Sequence, residues 1–192
     1  LGTHDQYASR TLAPLLQEFI LSYPEAELEV YCDHRPEYLI DMLNNGKLDI
    51  ALVEMLADSE GGTRLRRDEL VWVSGRDHVI NYEQTLPLAT FDEGCCHRWY
   101  ACQALDKANI PYRVSFISQS RTGVLAAVRA GIGVGIIPTH SVEDDLLVIR
   151  EELPPLPETE VTLFIAANVN EATRRLEAII EENPLFRIEE NQ

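Results

Sequence analysis

Hydrophobic residues alternate between helical spacing and short apolar runs in the first part of the chain. Leu12, Leu15 and Phe19 share one face of a predicted helix. A second amphipathic helix is predicted between apolar strands at 28–32 and 48–53. This order of strand, helix, strand, helix and strand is typical of an α/β domain with a parallel sheet.

The same alternation starts again after the polar stretch 75–85. Strands are predicted at 86–91, 112–117 and 132–137, and a helix is predicted between each pair. Two similar α/β halves indicate a hinged protein of two lobes, in which each lobe is a doubly wound, mostly parallel sheet. Such a fold binds a small ligand between its lobes, at the carboxyl ends of strands and the amino ends of helices.

The last strand and the last helix of the chain are assigned to the first lobe. Lobe I is therefore predicted over residues 1–80 plus 160–192 and lobe II over residues 81–159, with a double crossover at the hinge. The chain starts at Leu1 with neither a methionine nor a signal peptide, so we expect it to begin in mid-protein.

Composition narrows the range of partners. Hydrophobic residues make up 45% of the chain, which is too many for a disordered protein, and no apolar run approaches the roughly 18 residues of a membrane helix. The 32 acidic and 16 basic residues give a net charge of −16. Because phosphate backbones are bound mainly through Lys and Arg, we expect this chain by itself to bind neither nucleic acid nor an anionic membrane.

Three sequence blocks stand in a characteristic order. They are residues 13–16 (APLL) with Phe19 and the Tyr23-Pro24 pair, residues 46–52 (GKLDIAL), and residues 124–138 (VLAAVRAGIGVGIIP). Together they resemble the effector-binding domain of a LysR-type transcriptional regulator, and the resemblance covers essentially the whole chain. The segment 93–98 (EGCCHR) is similar to a branch of that family that often carries Gly-Cys here.

The resemblance implies a periplasmic-binding-protein-like fold in a cytoplasmic regulator that senses a small molecule and assembles as a homodimer or tetramer. It also implies an N-terminal winged helix-turn-helix that is absent from this chain, so DNA would be bound by that missing domain. In the family the first helix packs against the second lobe of a partner, and we expect self-association through it. The alternative is a free-standing solute-binding protein of a transporter, which shares the fold.

The residues predict neither an enzyme nor a cofactor. The glycine-rich run 131–135 follows a helix and precedes a strand, which is the reverse of a dinucleotide fingerprint. Nucleophile elbows, phosphate loops and paired metal histidines do not occur in the sequence. Cys95, Cys96, His97 and Cys102 crowd together, but adjacent cysteines are poorly placed to share one ion. Packing or lining of the cleft is favoured over a metal site or a redox switch.

Three loops and one arginine supply the candidate effector-binding residues. These are Thr3, His4, Asp5 and Gln6 after the first strand, Arg35 before the second helix, Phe91, Cys95 and Arg98 in the second lobe, and Ser118, Gln119 and Ser120 before the helix at 121. Hydroxyls, arginines and free N–H groups at helix starts favour an anionic ligand. Asp5, Asp92 and Glu93 lie near the same loops and leave a cationic or amphoteric ligand as alternatives.

Overall fold

The structure, a computed structural model, describes residues 1–5, 7, 12–78 and 84–186. The chain forms two compact units, one of residues 1–67 plus 159–192 and the other of residues 68–158. It therefore passes from one unit to the other twice.

The regular elements are five α-helices and nine β-strands within the described residues. The helices are α1 (Leu12–Ser22), α2 (Pro36–Asn44), α3 (Cys96–Lys107), α4 (Arg121–Arg129) and α5 (Glu171–Glu182). The strands are β1 (Gly2–Thr3), β2 (Tyr31–Cys32), β3 (Ile50–Leu56), β4 (Thr63–Gly75), β5 (Leu86–Thr90), β6 (Tyr112–Ile117), β7 (Gly135–Pro138), β8 (Leu146–Ile149) and β9 (Glu158–Ile165).

In the first unit the sheet order is β2, β1, β3, β9. Strand β1 pairs in parallel with both β2 and β3, and β9 runs antiparallel to β3. Side chains of β3 alternate between two apolar clusters: Ile50 and Leu52 pack with α1 and α5, whereas Ala51 and Val53 pack with α2. Helices thus cover both faces, which explains why β3 is an almost unbroken apolar run.

The second unit repeats this arrangement. Strand β5 pairs in parallel with β6, and Leu88 of β5 forms a parallel bridge with Val134 immediately before β7. Strand β4 then runs antiparallel to β7 and β8. Here too the strand side chains alternate: Leu70 and Trp72 pack on the side of α3, and Val71 and Val73 pack on the side of α4. The α/β fold with doubly wound, mostly parallel sheets is the one predicted from the sequence.

The first crossing between the units differs from the predicted boundary at 80/81. It lies at 67/68, inside the continuous strand β4, whose second half pairs with β7 and β8. In the sequence, only the apolar run 70–74 predicts a strand here, because the charged residues Arg64, Arg66 and Arg67 obscure the strand pattern of the first half. The second crossing, at 158/159, is one residue from the predicted position.

Strand β2 is also shorter than the 28–32 predicted. It has two residues, because its parallel partner β1 has two. Hydrogen bonds continue the pairing beyond β2; for example, the amino group of Leu1 donates to the carbonyl oxygen of Glu29 at 2.9 Å.

Candidate functional site

In the second unit, two predicted loops meet at one edge of the sheet. Strands β5 and β6 are parallel and end in register at Thr90 and Ile117, so the chain leaves both strands at the same edge. The backbone N–H of Ser118 donates to the carbonyl of Thr90 at 3.1 Å. The amide of Gln119 donates to Asp92 Oδ2 at 2.9 Å. These contacts join the loop after β5 to the loop before α4.

The loop before α4 presents two serine hydroxyls. Ser118 Oγ accepts a hydrogen bond from the backbone N–H of Ser120 at 3.1 Å, which leaves the hydroxyl hydrogen available as a donor. Ser120 precedes α4 in extended backbone conformation, and its side chain makes no capping bond to the helix. A Cβ at Gly123 would lie 2.3 Å from Ser118 Oγ, so only glycine at this position leaves room for that hydroxyl.

The start of α3 holds the other candidate residues of the second unit. Phe91 and Cys95 are buried. The ring of Phe91 packs edge-on against the ring of His97, with 6.1 Å between the two ring centres. The pKa of the Cys95 thiol is lowered to about 6, mainly because the Cys96 thiol hydrogen-bonds to it, and the charge of His97 acts in the same direction against the effect of burial. The guanidinium of Arg98 lies 3.7 Å from the exposed carboxylate of Glu93.

The first unit places Thr3, His4 and Asp5 at the carboxyl end of β1. Thr3 has no exposed surface, and no partner within the described residues bonds its Oγ1 atom. His4 is buried and stacks on Tyr7 at 6.1 Å, whereas Asp5 is exposed. Gln6 lies outside the described residues.

Arg35 forms a bidentate ion pair, or fork, with the carboxylate of Asp33, a residue that the sequence analysis did not select. Its Nε and Nη2 atoms donate to the two oxygens of Asp33 at 2.8 and 2.6 Å, and its guanidinium lies 4.7 Å from the ring centre of Tyr38. The Arg35 side chain holds the pKa of Asp33 below its ordinary value. The Asp-x-Arg spacing was the available signal. The charge of Arg35 is already balanced, so its contribution to anion binding is smaller than the sequence suggested.

The candidate residues therefore fall into two sets, each on one unit. Residues 91, 95, 98 and 118–120 lie at the carboxyl ends of β5 and β6, and residues 3–5 and 35 follow β1 and β2. The backbone N–H of Asp33 donates to the carbonyl of Thr3 at 3.1 Å, which joins the loops of the second set. Within the described ranges, no group of three or more His, Cys, Asp or Glu side chains is arranged to hold a metal ion.

A family model described as the LysR substrate binding domain matches residues 1–182, and the chain belongs to this family. A relative of known class is the HTH-type transcriptional regulator DgdR of Burkholderia cepacia. It is 33% identical over 164 residues, which are 84% of this chain and 55% of that protein. The chain spans about half the length of the curated relatives it matches.

Solved structures share the fold. The C-terminal domain of a probable LysR family transcriptional regulator from Rhodococcus sp. RHA1 is 19% identical, with a TM-score of 0.69 over 93% of this chain and 96% of that chain. The effector binding domain of QuiR in complex with shikimate is 16% identical, with a TM-score of 0.68 over 93% of this chain and 92% of that chain. These neighbours are periplasmic-binding-protein-like.

The comparisons also bear on the other two classes of protein considered, an enzyme and a free-standing solute-binding protein of a transporter. The family is one of regulatory domains and not of enzymes, as the sequence predicted. They give no support to the alternative of a transporter's solute-binding protein. Among the described residues, no helix is long and apolar enough to cross a bilayer.

Proposed function

We propose that this chain is the effector-binding domain of a LysR-type transcription regulator and that a small organic effector contacts the loops at the carboxyl ends of β5 and β6. The observation that carries the proposal is the convergence of Ser118, Gln119 and Ser120 with Asp92 at the carboxyl ends of two parallel strands. Ligands of open α/β sheets bind at that edge.

We propose that the effector carries an anionic group. Hydroxyl donors lie next to the amino end of α4, where the partial positive charge of the helix favours an anion. Arg98 adds a cation whose contact with Glu93, at 3.7 Å, is longer than a hydrogen bond. Shikimate is bound by QuiR, a family member of the same fold, and is a carboxylate of the proposed class.

In the full-length protein, we propose that effector binding changes the geometry of a homodimer or tetramer and thereby DNA binding by an N-terminal helix-turn-helix. Curated relatives are HTH-type transcriptional regulators about twice as long as this chain, which supports this role. A regulator that acts on DNA would be cytoplasmic. The net charge of −16 makes this chain an unsuitable surface for phosphate backbones.

A thermal-shift screen of the chain against small carboxylic acids and other metabolites tests the proposal. A ligand at 100 times its Kd stabilises the folded state by about 2.7 kcal/mol, which is an easily measured rise in Tm. If no anionic compound raises the Tm but a cation or an uncharged molecule does, the proposal that the effector is anionic is wrong. The proposed regulatory role would not be affected by that result.

The ligand that the screen finds is then measured by calorimetry with two variants. Arg98→Ala and Ser120→Ala should each weaken binding by about 1–3 kcal/mol if the side chain bonds the ligand. Arg150→Ala is the matched control. Arg150 follows β8 in the same unit, is exposed, and pairs with the carboxylate of Glu69. Unchanged affinity in both site variants would show that the ligand binds elsewhere.

A further inference from the structure

The first unit contains a cavity that the proposed effector contacts do not use. Its volume is about 570 Å³, which is within the range of small-molecule sites. It lies between the end of α1, the segment 23–28, the start of β3 and the start of α5. Leu1 and Ile50, which line it, are at the amino ends of β1 and β3, whereas the candidate effector residues 3–5 are at the carboxyl end of β1. The cavity is therefore at the opposite edge of this sheet from those residues.

One wall of the cavity is apolar and partly aromatic. Phe19, Ile50 and Leu176 line it and belong to the buried core of the first unit. The ring of Tyr23 stacks on that of Phe19, with 5.7 Å between the ring centres and 24° between the ring planes, and Tyr23 is only half-buried. This wall fits an aromatic or aliphatic body, whose burial displaces water from apolar surface.

The rim of the cavity is acidic. Glu25, Glu27 and Asp49 line it and are exposed, and neither lysine nor arginine is among the described residues that line it. The last turn of α1 contains no basic residue, so the partial negative charge at the carboxyl end of this helix adds to that of the carboxylates. A positively charged group is therefore favoured at the rim.

Two features of the lining act in the opposite direction. The amino group of Leu1 lies near Asp49, but burial lowers the pKa of this amino group and thereby the fraction of it that is charged. The amino end of α5 is capped by Asn170, whose Oδ1 accepts from the N–H of Thr173 at 2.8 Å, and Glu171 lies in its first turn. Three carboxylates therefore face at most one ammonium group, and the charge of the lining remains negative.

We propose that this cavity is a second small-molecule site, which takes an organic ammonium ion with an aromatic or aliphatic body. The ammonium group lies at the acidic rim, and the body packs on the wall formed by Phe19, Tyr23 and Leu176. The inference goes beyond the proposed effector site and does not depend on it, because the place in the fold differs and the preferred charge is the opposite. Since the carboxylates are exposed, binding should weaken as the salt concentration rises.

Titration of the chain with benzylamine, followed by NMR of the backbone amides, tests the proposal. Benzylamine is a cation at neutral pH, whereas benzyl alcohol and benzoate are matched neutral and anionic compounds. We expect benzylamine to cause saturable shifts at Tyr23, Ala26 and Thr173. Benzyl alcohol should bind more weakly, and benzoate should cause no shift at these residues. Equal affinity for benzylamine and benzyl alcohol, shifts confined to residues 118–120, or shifts that never saturate would overturn the proposal.

Variants test the acidic rim and the apolar wall separately. Glu27→Gln and Asp49→Asn should each weaken benzylamine binding by about twofold to fivefold, the range expected for an exposed ion pair. Glu37→Gln is the matched control, since Glu37 is an exposed carboxylate at the start of α2 and does not line the cavity. Ala172→Phe fills the cavity from α5 without changing its charge and should abolish binding. Unchanged affinity in all three cavity variants, or an equal loss in Glu37→Gln, would contradict the proposal.

Two other occupants of the cavity give different results in the same titration. If a second copy of the chain covers it, the affinity for benzylamine should fall as the chain concentration rises. If another part of the full-length protein fills it, benzylamine should bind the chain 1–192 but not the full-length protein. Either result would overturn the proposal, and equal binding to both proteins at all concentrations would support it.

Discussion

At the scale of single residues, the buried carboxylate of Glu54 depends on hydrogen bonds from its neighbours. Its side chain has no exposed surface, and burial of a carboxylate is costly unless hydrogen bonds stabilise it. Thr159 donates to one carboxylate oxygen at 2.9 Å and Tyr7 donates to the other at 3.2 Å. This network ties β3 to β9 within the first unit.

Replacement of Thr159 by valine should therefore destabilise the protein. The valine side chain has nearly the same shape as threonine but donates no hydrogen bond, and loss of a donor to a buried carboxylate costs about 1–3 kcal/mol. Denaturant unfolding measures the change. Thr159→Ser is the matched control, since it keeps the hydroxyl and loses only a methyl group. If the serine variant is destabilised as much as the valine variant, the hydrogen bond is not the cause.

The pair formed by Asp33 and Arg35 should give a pH-dependent effect. Arg35 holds the pKa of Asp33 below its ordinary value of 3.8. The pair therefore stabilises the folded state above the pKa of the unfolded chain, and this contribution is lost as the pH falls through the lower folded pKa. In Arg35→Ala, the pKa of Asp33 should rise towards or above 3.8, as measured by NMR titration. Arg150→Ala should leave that pKa unchanged, and an equal shift in both variants would contradict the pairing.

At the scale of elements, two glycines end helices in the same left-handed conformation with different surroundings. Gly131 follows α4 with φ of 71°, and a Cβ there would lie 2.4 Å from the ring of His78. Gly46 follows α2 with φ of 68°, and a Cβ there would meet nothing within 4 Å. The comparison separates backbone strain from crowding.

Gly131→Ala should be more destabilising than Gly46→Ala in denaturant unfolding. Both variants carry the cost of left-handed backbone, about 1–2 kcal/mol, but only the first also displaces the imidazole, which is 3.0 Å from the carbonyl oxygen of Arg129. The double variant Gly131→Ala with His78→Ala, compared with His78→Ala alone, should show only the backbone cost. Equal destabilisation by the two single glycine variants would show that His78 moves aside freely.

The elements also show what the sequence could predict. The spacing of apolar residues predicts a strand at 112–117 and a helix at 171–182. These are the bounds of β6 and α5, because an apolar period depends only on local order. The parallel pairing of β5 with β6 then brought Phe91 and Ser118 to one edge as expected. By contrast, the spacing of Trp99, Cys102 and Leu105 predicts one apolar face of α3, but Trp99 is 59% exposed. The buried face is formed by Tyr100, Ala101 and Leu105. The fork between Arg35 and Asp33 depends on side-chain rotamers, which spacing does not determine.

At the scale of the whole molecule, the two units have corresponding strand orders. Strand β1 lies between β2 and β3, as β5 lies between β6 and the segment leading into β7, and an antiparallel strand follows in each unit. The repeated sequence pattern therefore corresponds to a repeated topology. Each unit carries its candidate loops at the carboxyl ends of its parallel strands.

Self-association is the remaining expectation for the whole molecule. Helix α1 buries Leu15 and Phe19 inside its own unit, yet Leu21 is 76% exposed and Ile20 is 44% exposed on the same helix. Adjacent large apolar side chains in water favour a contact with another surface. We expect a second copy of this chain to supply that surface.

Leu21→Glu should therefore convert the protein to monomers, because a carboxylate cannot enter an apolar contact without a partner. Gln17→Glu is the matched control, since it adds the same charge at an exposed polar position of α1 and should leave association unchanged. Sedimentation velocity over a range of concentrations measures both. A wild-type chain that stays monomeric at high concentration would refute self-association through α1, and equal dissociation of both variants would show that charge alone separates the copies.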